Sequence, residues 1–173
     1  MASDNDVGSS KKFFHFMDAA KVFRTINRKG GSQESFSMAS SPVILVADDD
    51  PVSLRQYELV LKPFLGQVEY YTATNGIDAV RMAAVQRPHL VLMDYAMPSM
   101  DGLKACEQMR RLEIEHDMDI WIISGYSDDL DKSLVTHAGA TCLISKPIRV
   151  LPFREMIANQ LNLAFELPLN KAA

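Results

Sequence analysis

The sequence has very few of the residues and segments that mark several common protein classes. Only two of its 173 residues are cysteines, Cys106 and Cys142, and each lies in an apolar stretch. So few cysteines exclude a disulfide framework and a cysteine-rich zinc site, and we expect two buried, reduced thiols. No apolar run approaches the roughly 18 residues of a membrane-spanning helix, and no apolar segment near the start resembles a secretion signal. We therefore expect a soluble, cytoplasmic protein that does not bind membranes.

The main part of the chain also lacks an excess of positive charge. Residues 1–41 carry six Lys and Arg against four Asp and Glu, whereas residues 42–173 carry twelve against eighteen. An acidic body offers no favourable field for a phosphate backbone, so we expect no direct nucleic-acid binding. A small charged ligand of this part is instead expected to be a cation.

Residues 1–41 form an N-terminal extension, and its last part is a connector rich in Gly and Ser that leads into a domain. Residues 30–41 read GGSQESFSMASS, a composition typical of a flexible linker. Before it, apolar and basic residues at helical spacing predict an amphipathic helix at about 12–28. We expect this helix to be a protein contact or dimer element in preference to a membrane anchor. The predicted domain covers 42–163, and 164–173 form a C-terminal tail.

Within the domain, short apolar runs alternate with segments of helical period. The runs that predict strands are VILVA (43–47), VEYYTA (68–73), LVLM (90–93), IWII (120–123) and CLIS (142–145). The segments that predict helices lie near 52–63, 76–86, 101–113, 128–138 and 149–162, with plausible caps such as Asp50 and Asn75. Strands that are apolar throughout, each followed by a helix, predict an α/β fold with a doubly wound, five-stranded parallel sheet. Such sheets carry their functional residues at the carboxyl ends of the strands.

A charged side chain or a serine directly follows four of the five predicted strands, and in two cases a Gly or a Pro comes next. In chain order they are Asp48, Asp49 and Asp50, then Asp94, then Ser124 and Gly125, then Lys146 and Pro147. Carboxylates gathered at one edge repel each other unless a hard dication or an ammonium stabilises them. Lys146 supplies the ammonium, and magnesium suits the carboxylates while leaving coordination positions free for a phosphoryl oxygen. The pattern therefore predicts phosphoryl chemistry in which an aspartate can be the nucleophile.

Four motifs resemble those of response-regulator receiver domains in their order and spacing. They are ILVADDDP (44–51), LVLMDYAMPSMDG (90–102), WIISG (121–125) and HAGATCLISKP (137–147). The resemblance spans 42–163 and implies a flavodoxin-like or CheY-like fold with strand order 2-1-3-4-5. It also implies a signalling module of a two-component system or phosphorelay, with no enzyme activity beyond its own phosphorylation and dephosphorylation.

The acidic motifs carry the chemistry that the resemblance implies. Asp94 would accept a phosphoryl group from a histidine kinase or a histidine phosphotransfer protein. Asp48, Asp49, Asp94 and the backbone carbonyl of Ala96 would hold Mg2+ or Mn2+.

The later motifs imply the phosphoryl-binding and switch positions. Lys146 would pair with Asp94 and then with the phosphoryl group, through a chain that has a cis peptide bond at Pro147. Ser124 would be the hydroxyl switch residue, and Gly125 would leave steric room beside it. Phosphorylation would shift an equilibrium between two conformations, and a downstream protein would bind the face of the fourth helix, fifth strand and fifth helix.

Three residues affect what the resemblance implies about the lifetime of the phosphoryl group and about the switch. Ala96 and Tyr126 occupy the places that tune the lifetime of the phosphoryl group in the family, and a bulky Tyr126 is expected to slow hydrolysis. Leu143 stands where the family often has an aromatic residue whose rotation accompanies activation. Coupling is then expected to run through Ser124 and the fourth helix.

Two other functions stay open on the sequence alone. A phosphorylation-independent interaction module would keep the fold without the switch, although the acidic cluster argues against it. A phosphatase of the haloacid dehalogenase type shares the pattern of Asp48 and Asp50, yet it needs a further acidic pair after Lys146. The only acidic residues after Lys146 in the sequence are Glu155 and Glu166.

Overall fold

The computed structural model describes residues 41–112, 114, 117–125 and 130–165, and five short apolar segments among them form a parallel sheet. The strands are β1 (Val43–Ala47), β2 (Glu69–Ala73), β3 (Leu90–Asp94), β4 (Asp119–Ser124) and β5 (Cys142–Ser145). Their order is β2-β1-β3-β4-β5, so β1 and β3 are neighbours and every pairing is parallel. The predicted fold class and strand order are confirmed.

Five α-helices among the described residues follow these strands, and the first four of them connect one strand to the next. They are α1 (Pro51–Leu61), α2 (Gly76–Gln86), α3 (Gly102–Met109), α4 (Lys132–His137) and α5 (Val150–Leu161), and a short 3-10 helix, Lys62–Phe64, extends α1. Side chains cap four of them at the N-terminus, where they accept hydrogen bonds from backbone N–H groups that have no partner inside the helix: Asp50, Asn75, Asp101 and Asp131. The caps therefore fix where these helices start.

The third helix ends earlier than the hydrophobic period predicts. It stops at Met109, and the side chain of Arg110 leaves the helix to donate to the Gly139 carbonyl at 2.7 Å and the Met118 carbonyl at 2.5 Å. These contacts tie the end of α3 to the start of β4 and to the turn before β5. After Met109 the backbone closes in i→i−3 hydrogen bonds, from Arg111 to Gln108 and from Leu112 to Met109, so the α-helix ends before the predicted boundary at about residue 113.

The sheet separates two apolar layers. Alternate strand residues, such as Ile44, Val46 and Leu92, pack with α1 and α5 on one face. The residues between them pack with α2, α3 and α4 on the other face. Since both faces are covered, the central strand β3 is buried along its whole length. We call these the α1/α5 face and the α2–α4 face.

Several sequence predictions fall outside the described part of the chain. They are the amphipathic helix at 12–28, the linker at 30–41 and most of the tail. No helix among the described residues is both long and apolar enough to cross a bilayer. Cys106 is buried, Cys142 is only partly buried, and both are free thiols.

The α1/α5 face should be a main source of stability. Leu92 is fully buried in β3, between Val46 of β1 and Trp121 of β4. Leu92→Ala is expected to lower the free energy of unfolding by about 2–5 kcal/mol, because it removes apolar contacts and leaves a cavity. Urea denaturation followed by circular dichroism measures the change. The control is Leu59→Ala on α1, where the residue is 61% exposed, and equal losses in the two variants would contradict this packing.

Candidate functional site

The alternation of side chains along the strands places the main polar residues on one face. In β3, Leu90 and Leu92 belong to the α1/α5 face, so Asp94, two residues further, points to the same side. Asp48 continues the row of Ile44 and Val46 in β1 by the same rule. These carboxylates therefore meet above the α1/α5 layer at the carboxyl edge of the sheet.

Lys146 joins the two carboxylates. Its Nζ atom donates to Asp94 Oδ1 at 2.5 Å and to Asp48 Oδ2 at 2.9 Å. The backbone N–H of Lys146 also donates to the Ser124 carbonyl at 2.8 Å, which anchors the residue after β5 to the end of β4. Asp48 and Asp94, which precede Lys146 by 98 and 52 positions in the chain, thus share its ammonium group.

The surroundings of this group favour a compact, strongly coupled site. Asp48 is 1% exposed and Asp94 is 6% exposed. Burial raises the pKa of Asp94 above its ordinary value, and the charge of Asp48 adds to this, although hydrogen bonds from Lys146 and Ala96 oppose it. Burial alone would lower the pKa of Lys146, but hydrogen bonds to Asp94 and Asp48 outweigh it and hold this pKa above its ordinary value. The lysine therefore remains charged, while Asp94 holds its negative charge at a cost.

The loop after β3 holds the second carboxylate oxygen of Asp94 in place. The backbone N–H of Ala96 donates to Asp94 Oδ2 at 2.7 Å. The chain then turns back, and the N–H of Gly102 donates to the Tyr95 carbonyl at 2.9 Å. A Cβ atom on Gly102 would overlap the carbonyl oxygen of Asp94. Only glycine allows α3 to start this close to the strand end.

The loop after β1 fixes Asp48 and leaves its neighbour open to solvent. The N–H of Asp50 donates to Asp48 Oδ1 at 2.9 Å. Asp50 itself caps α1 through the N–H groups of Val52 and Ser53, and hydrogen bonds from these residues lower its pKa. Asp49, between them, is exposed. One acidic run thus contains a buried site residue, an exposed residue and a helix cap.

The remaining predicted residues take different places. Ser124 ends β4 and is 1% exposed, and the exposed Gly125 follows it with open space where a Cβ atom would lie. The Lys146–Pro147 peptide bond is cis. Leu143 is partly buried and packs on the α2–α4 face, opposite to the carboxylates. Tyr126 lies outside the described residues.

The donor set suits a dication that keeps some of its waters. Among the described residues, no three His, Cys, Asp or Glu side chains come together as in a closed metal site. The structure instead brings together the two carboxylates of Asp48 and Asp94, while Asp49, the next residue in the chain after Asp48, is exposed. Magnesium is usually bound through one or two carboxylates and retains water, so these residues fit it.

One contribution to this geometry was not predicted from the sequence. Asp101 and Gly102 could be recognised as a turn, but nothing in their letters shows that Gly102 lies against the Asp94 carbonyl. The signal in the sequence that could have revealed this contact is the short separation between the end of β3 at Asp94 and the start of α3 at Gly102. A helix that starts so soon after a strand lies close to the end of that strand. We therefore add Gly102 to the residues that shape the site.

The doubly wound parallel sheet carries its Asp–Lys–Asp cluster at the carboxyl edge, where sheets of this kind place their functional residues. The family model described as "Response regulator receiver domain" matches residues 44–158. The chain belongs to this family, and it is a receiver domain of two-component signal transduction.

Known proteins agree with this membership. Over 120 residues the chain is 29% identical to the cyclic di-GMP phosphodiesterase response regulator RpfG of Xanthomonas campestris pv. campestris (strain 8004), in a match that covers 69% of this chain and 32% of RpfG. The chain thus corresponds to about a third of that relative.

Solved structures show the same fold. One is the receiver domain of the sensor histidine kinase PA1611 from Pseudomonas aeruginosa PAO1, crystallised with a magnesium ion in its active site cleft (TM-score 0.63, 24% identity, 71% of this chain and 99% of that chain). Another is the receiver domain of Ssk1 from Saccharomyces cerevisiae, in complex with the histidine phosphotransfer protein Ypd1 (TM-score 0.64, 20% identity, 70% of this chain and 90% of that chain).

The close approach at Gly102 predicts a strong effect of a single methyl group. Gly102→Ala should lower the free energy of unfolding by about 1–3 kcal/mol, because the loop or the strand end must move to accept the Cβ atom. Chemical denaturation measures this loss. The matched control is Gly125→Ala, where the added Cβ atom meets nothing within 4 Å. A Gly102→Ala protein as stable as this control would contradict the described loop.

The raised pKa of Asp94 predicts a stability difference that depends on pH. The folded protein binds a proton at this carboxyl more tightly than the unfolded chain does, so ionisation of Asp94 destabilises the fold. Asp94→Asn should therefore be more stable than the wild type near neutral pH. The difference should shrink as the pH falls through the raised pKa toward the ordinary value of 3.8.

Urea titrations across this pH range, in buffer that contains a metal chelator, measure the difference. Lys146 keeps Asp48 as a partner in the variant, which limits the disturbance. Asp49→Asn serves as the control, because it removes a neighbouring but exposed carboxylate. A wild type that is the more stable protein at neutral pH would rule out this account of Asp94.

Proposed function

We propose that Asp94 accepts a phosphoryl group from a phosphohistidine donor, and that this charge shifts a conformational equilibrium that controls protein–protein interaction. The observation that carries the proposal is the bridge from Lys146 to the buried carboxylates of Asp48 and Asp94, in a chain of the receiver family. Burial of two like charges is unfavourable unless a cation compensates them. Clusters of this kind are concentrated at reactive sites.

In the proposed transfer, the carboxylate of Asp94 is the nucleophile. An oxygen of Asp94 attacks phosphorus, the P–N bond to the donor imidazole breaks, and the imidazole nitrogen leaves with the bonding electrons. The product is an acyl phosphate on Asp94. Lys146 already touches Asp94 Oδ1, so its ammonium is placed to follow the negative charge onto the phosphoryl oxygens.

Asp48, Asp49, Asp94 and the carbonyl of Ala96 would hold Mg2+, or Mn2+ in its place. When bound, the ion offsets the negative charge of the transferring phosphoryl group. The magnesium ion in the active site cleft of the PA1611 receiver domain supports this assignment. Asp48 Oδ1 and Asp94 Oδ2 are each oriented by a backbone N–H, from Asp50 and Ala96. The chain's own contribution is therefore to fix the carboxylates before any ligand arrives.

Residues beside the cluster would receive the phosphoryl group and set its lifetime. Ser124 is proposed to donate its hydroxyl to a phosphoryl oxygen, and Gly125 leaves the space next to it free. Ala96, which is exposed, and Tyr126 would flank the path of the attacking water. Pro147 directs the chain from Lys146 into α5.

The output is proposed to be a protein contact at the face formed by α4, β5 and α5. β5 is an edge strand, and the two helices carry exposed apolar side chains: Leu134 on α4, and Leu151 and Met156 on α5. The phosphoryl donor is proposed to be a histidine kinase or a histidine phosphotransfer protein, and the Ypd1–Ssk1 complex supports the second class. In this proposal the domain is a signalling module and acts on no substrate other than its own aspartate.

Acetyl phosphate tests the chemistry directly. Incubated with Mg2+, the wild type should gain the mass of one phosphoryl group, and removal of the metal with a chelator should abolish the gain. Asp94→Asn should not be labelled. The matched control is Asp101→Asn, because asparagine can replace aspartate as the cap of α3 and leaves the cluster intact.

Intact-protein and peptide mass spectrometry read out this experiment. Continuous turnover of phosphate monoesters without stable labelling would contradict the receiver mechanism and favour a hydrolase. Absence of labelling, together with partner binding that does not respond to Asp94→Asn, would favour a phosphorylation-independent interaction module.

A further inference from the structure

A buried tyrosine hydroxyl on α1 has no role in the chemistry described above. Tyr57 is 2% exposed, and its Oη atom has no hydrogen-bond partner among the described residues. Its ring packs against Phe153, with centroids 6.4 Å apart, and Phe153 in turn contacts Trp121 at 6.0 Å. A phenylalanine would fill this apolar space without an unpaired polar atom. An unsatisfied buried group of this kind calls for an explanation.

The geometry of α1 directs Tyr57 toward the carboxylate cluster. The helix starts at Pro51, next to the carboxyl edge of the sheet, and runs back along the α1/α5 face. Tyr57 lies seven residues below the cap Asp50, or about 10 Å at 1.5 Å per residue. Helical side chains lean toward the N-terminus of their helix, so the tyrosine leans back toward the site. Asp48 and Asp94 lie on this same face.

Electrostatics agrees with this placement. Burial raises the pKa of Tyr57, and the negative charges of both Asp48 and Asp94 raise it further. The hydroxyl proton therefore lies in a negative potential, which favours its donation toward a carboxylate. In this structure Lys146 donates to Asp48 Oδ2 and the N–H of Asp50 donates to Oδ1, so each oxygen of Asp48 already has a donor.

We propose that Tyr57 is a positioning residue whose hydroxyl donates to Asp48 when Lys146 leaves that carboxylate for a phosphoryl group on Asp94. The inference rests on the proposed function, because it requires the ammonium to move. Asp48 is buried and would otherwise lose a donor at the moment when negative charge is added beside it. The hydroxyl, unpaired within the described part of the unphosphorylated protein, gains a partner in the phosphorylated state.

A double-mutant cycle tests the pairing without any ligand. In the wild-type background, Tyr57→Phe removes an unpaired hydroxyl and should raise the free energy of unfolding. In a Lys146→Met background, Asp48 has lost its ammonium donor and Tyr57 should already donate to it. Tyr57→Phe should then lower the free energy of unfolding.

The control in both backgrounds is Tyr70→Phe. Tyr70 packs against the same apolar layer but lies beside Ile44, at the far end of β1 from Asp48. Its substitution should have the same effect in both backgrounds. A Tyr57→Phe effect of the same sign in both would overturn the inference.

Binding of beryllofluoride with Mg2+ provides a second, independent measurement. Tyr57→Phe should weaken this binding by at least about tenfold, because a hydrogen bond to a charged group is lost only in the bound state. A purely structural tyrosine would leave the affinity unchanged. Trp121, the single tryptophan, lies in the same aromatic cluster and provides a fluorescence signal.

The two possible failures are distinguishable. If the wild type does not bind beryllofluoride, the proposed function is wrong. If the wild type and Tyr57→Phe bind it equally well, the proposed function stands and the inference about Tyr57 is wrong.

Discussion

The bridge from one ammonium to two buried carboxylates is the interaction on which the rest of the site depends. Without Lys146, Asp48 and Asp94 would be like charges side by side in a poorly solvated position, and the pKa of Asp94, which Lys146 now lowers against burial and the charge of Asp48, would rise further. A protonated aspartate is a poor nucleophile and a poor metal ligand. Lys146 therefore does more than pair charges, because it favours the ionised form of Asp94 that the proposed phosphoryl chemistry requires.

The parallel sheet makes this bridge possible with few residues. All strands end at the same edge, and the period of two along each strand selects which end residues share a face. Asp48, Asp94 and Lys146 extend rows that belong to the α1/α5 face, whereas Ser124 and Leu143 follow rows of the α2–α4 face. The same face supplies Tyr57, so the reactive cluster and the aromatic layer beneath it form one packed unit.

Much of this arrangement could be predicted from the sequence, because the strands are buried on both sides and read as continuous apolar runs. VILVA and CLIS match β1 and β5 residue for residue. Helix ends were less predictable: α3 stops at Met109, where the backbone changes to i→i−3 hydrogen bonds, and α4 starts at Lys132 behind the Asp131 cap. Tyr57 reads as an ordinary core residue, since only three-dimensional packing reveals that its hydroxyl is unpaired among the residues described.

The position of Lys146 explains how a local charge can affect a distant surface. Its side chain holds the carboxylates, while its backbone N–H holds the end of β4 and its peptide bond leads directly through Pro147 toward α5. In the proposed function, the ammonium that would turn toward a phosphoryl group belongs to the residue that joins β5 to α5. Leu143 packs on the opposite face and has no ring, so no aromatic side chain at that position accompanies the change. The coupling predicted from the sequence would then run through Ser124, whose carbonyl accepts a hydrogen bond from the Lys146 N–H, and through α4.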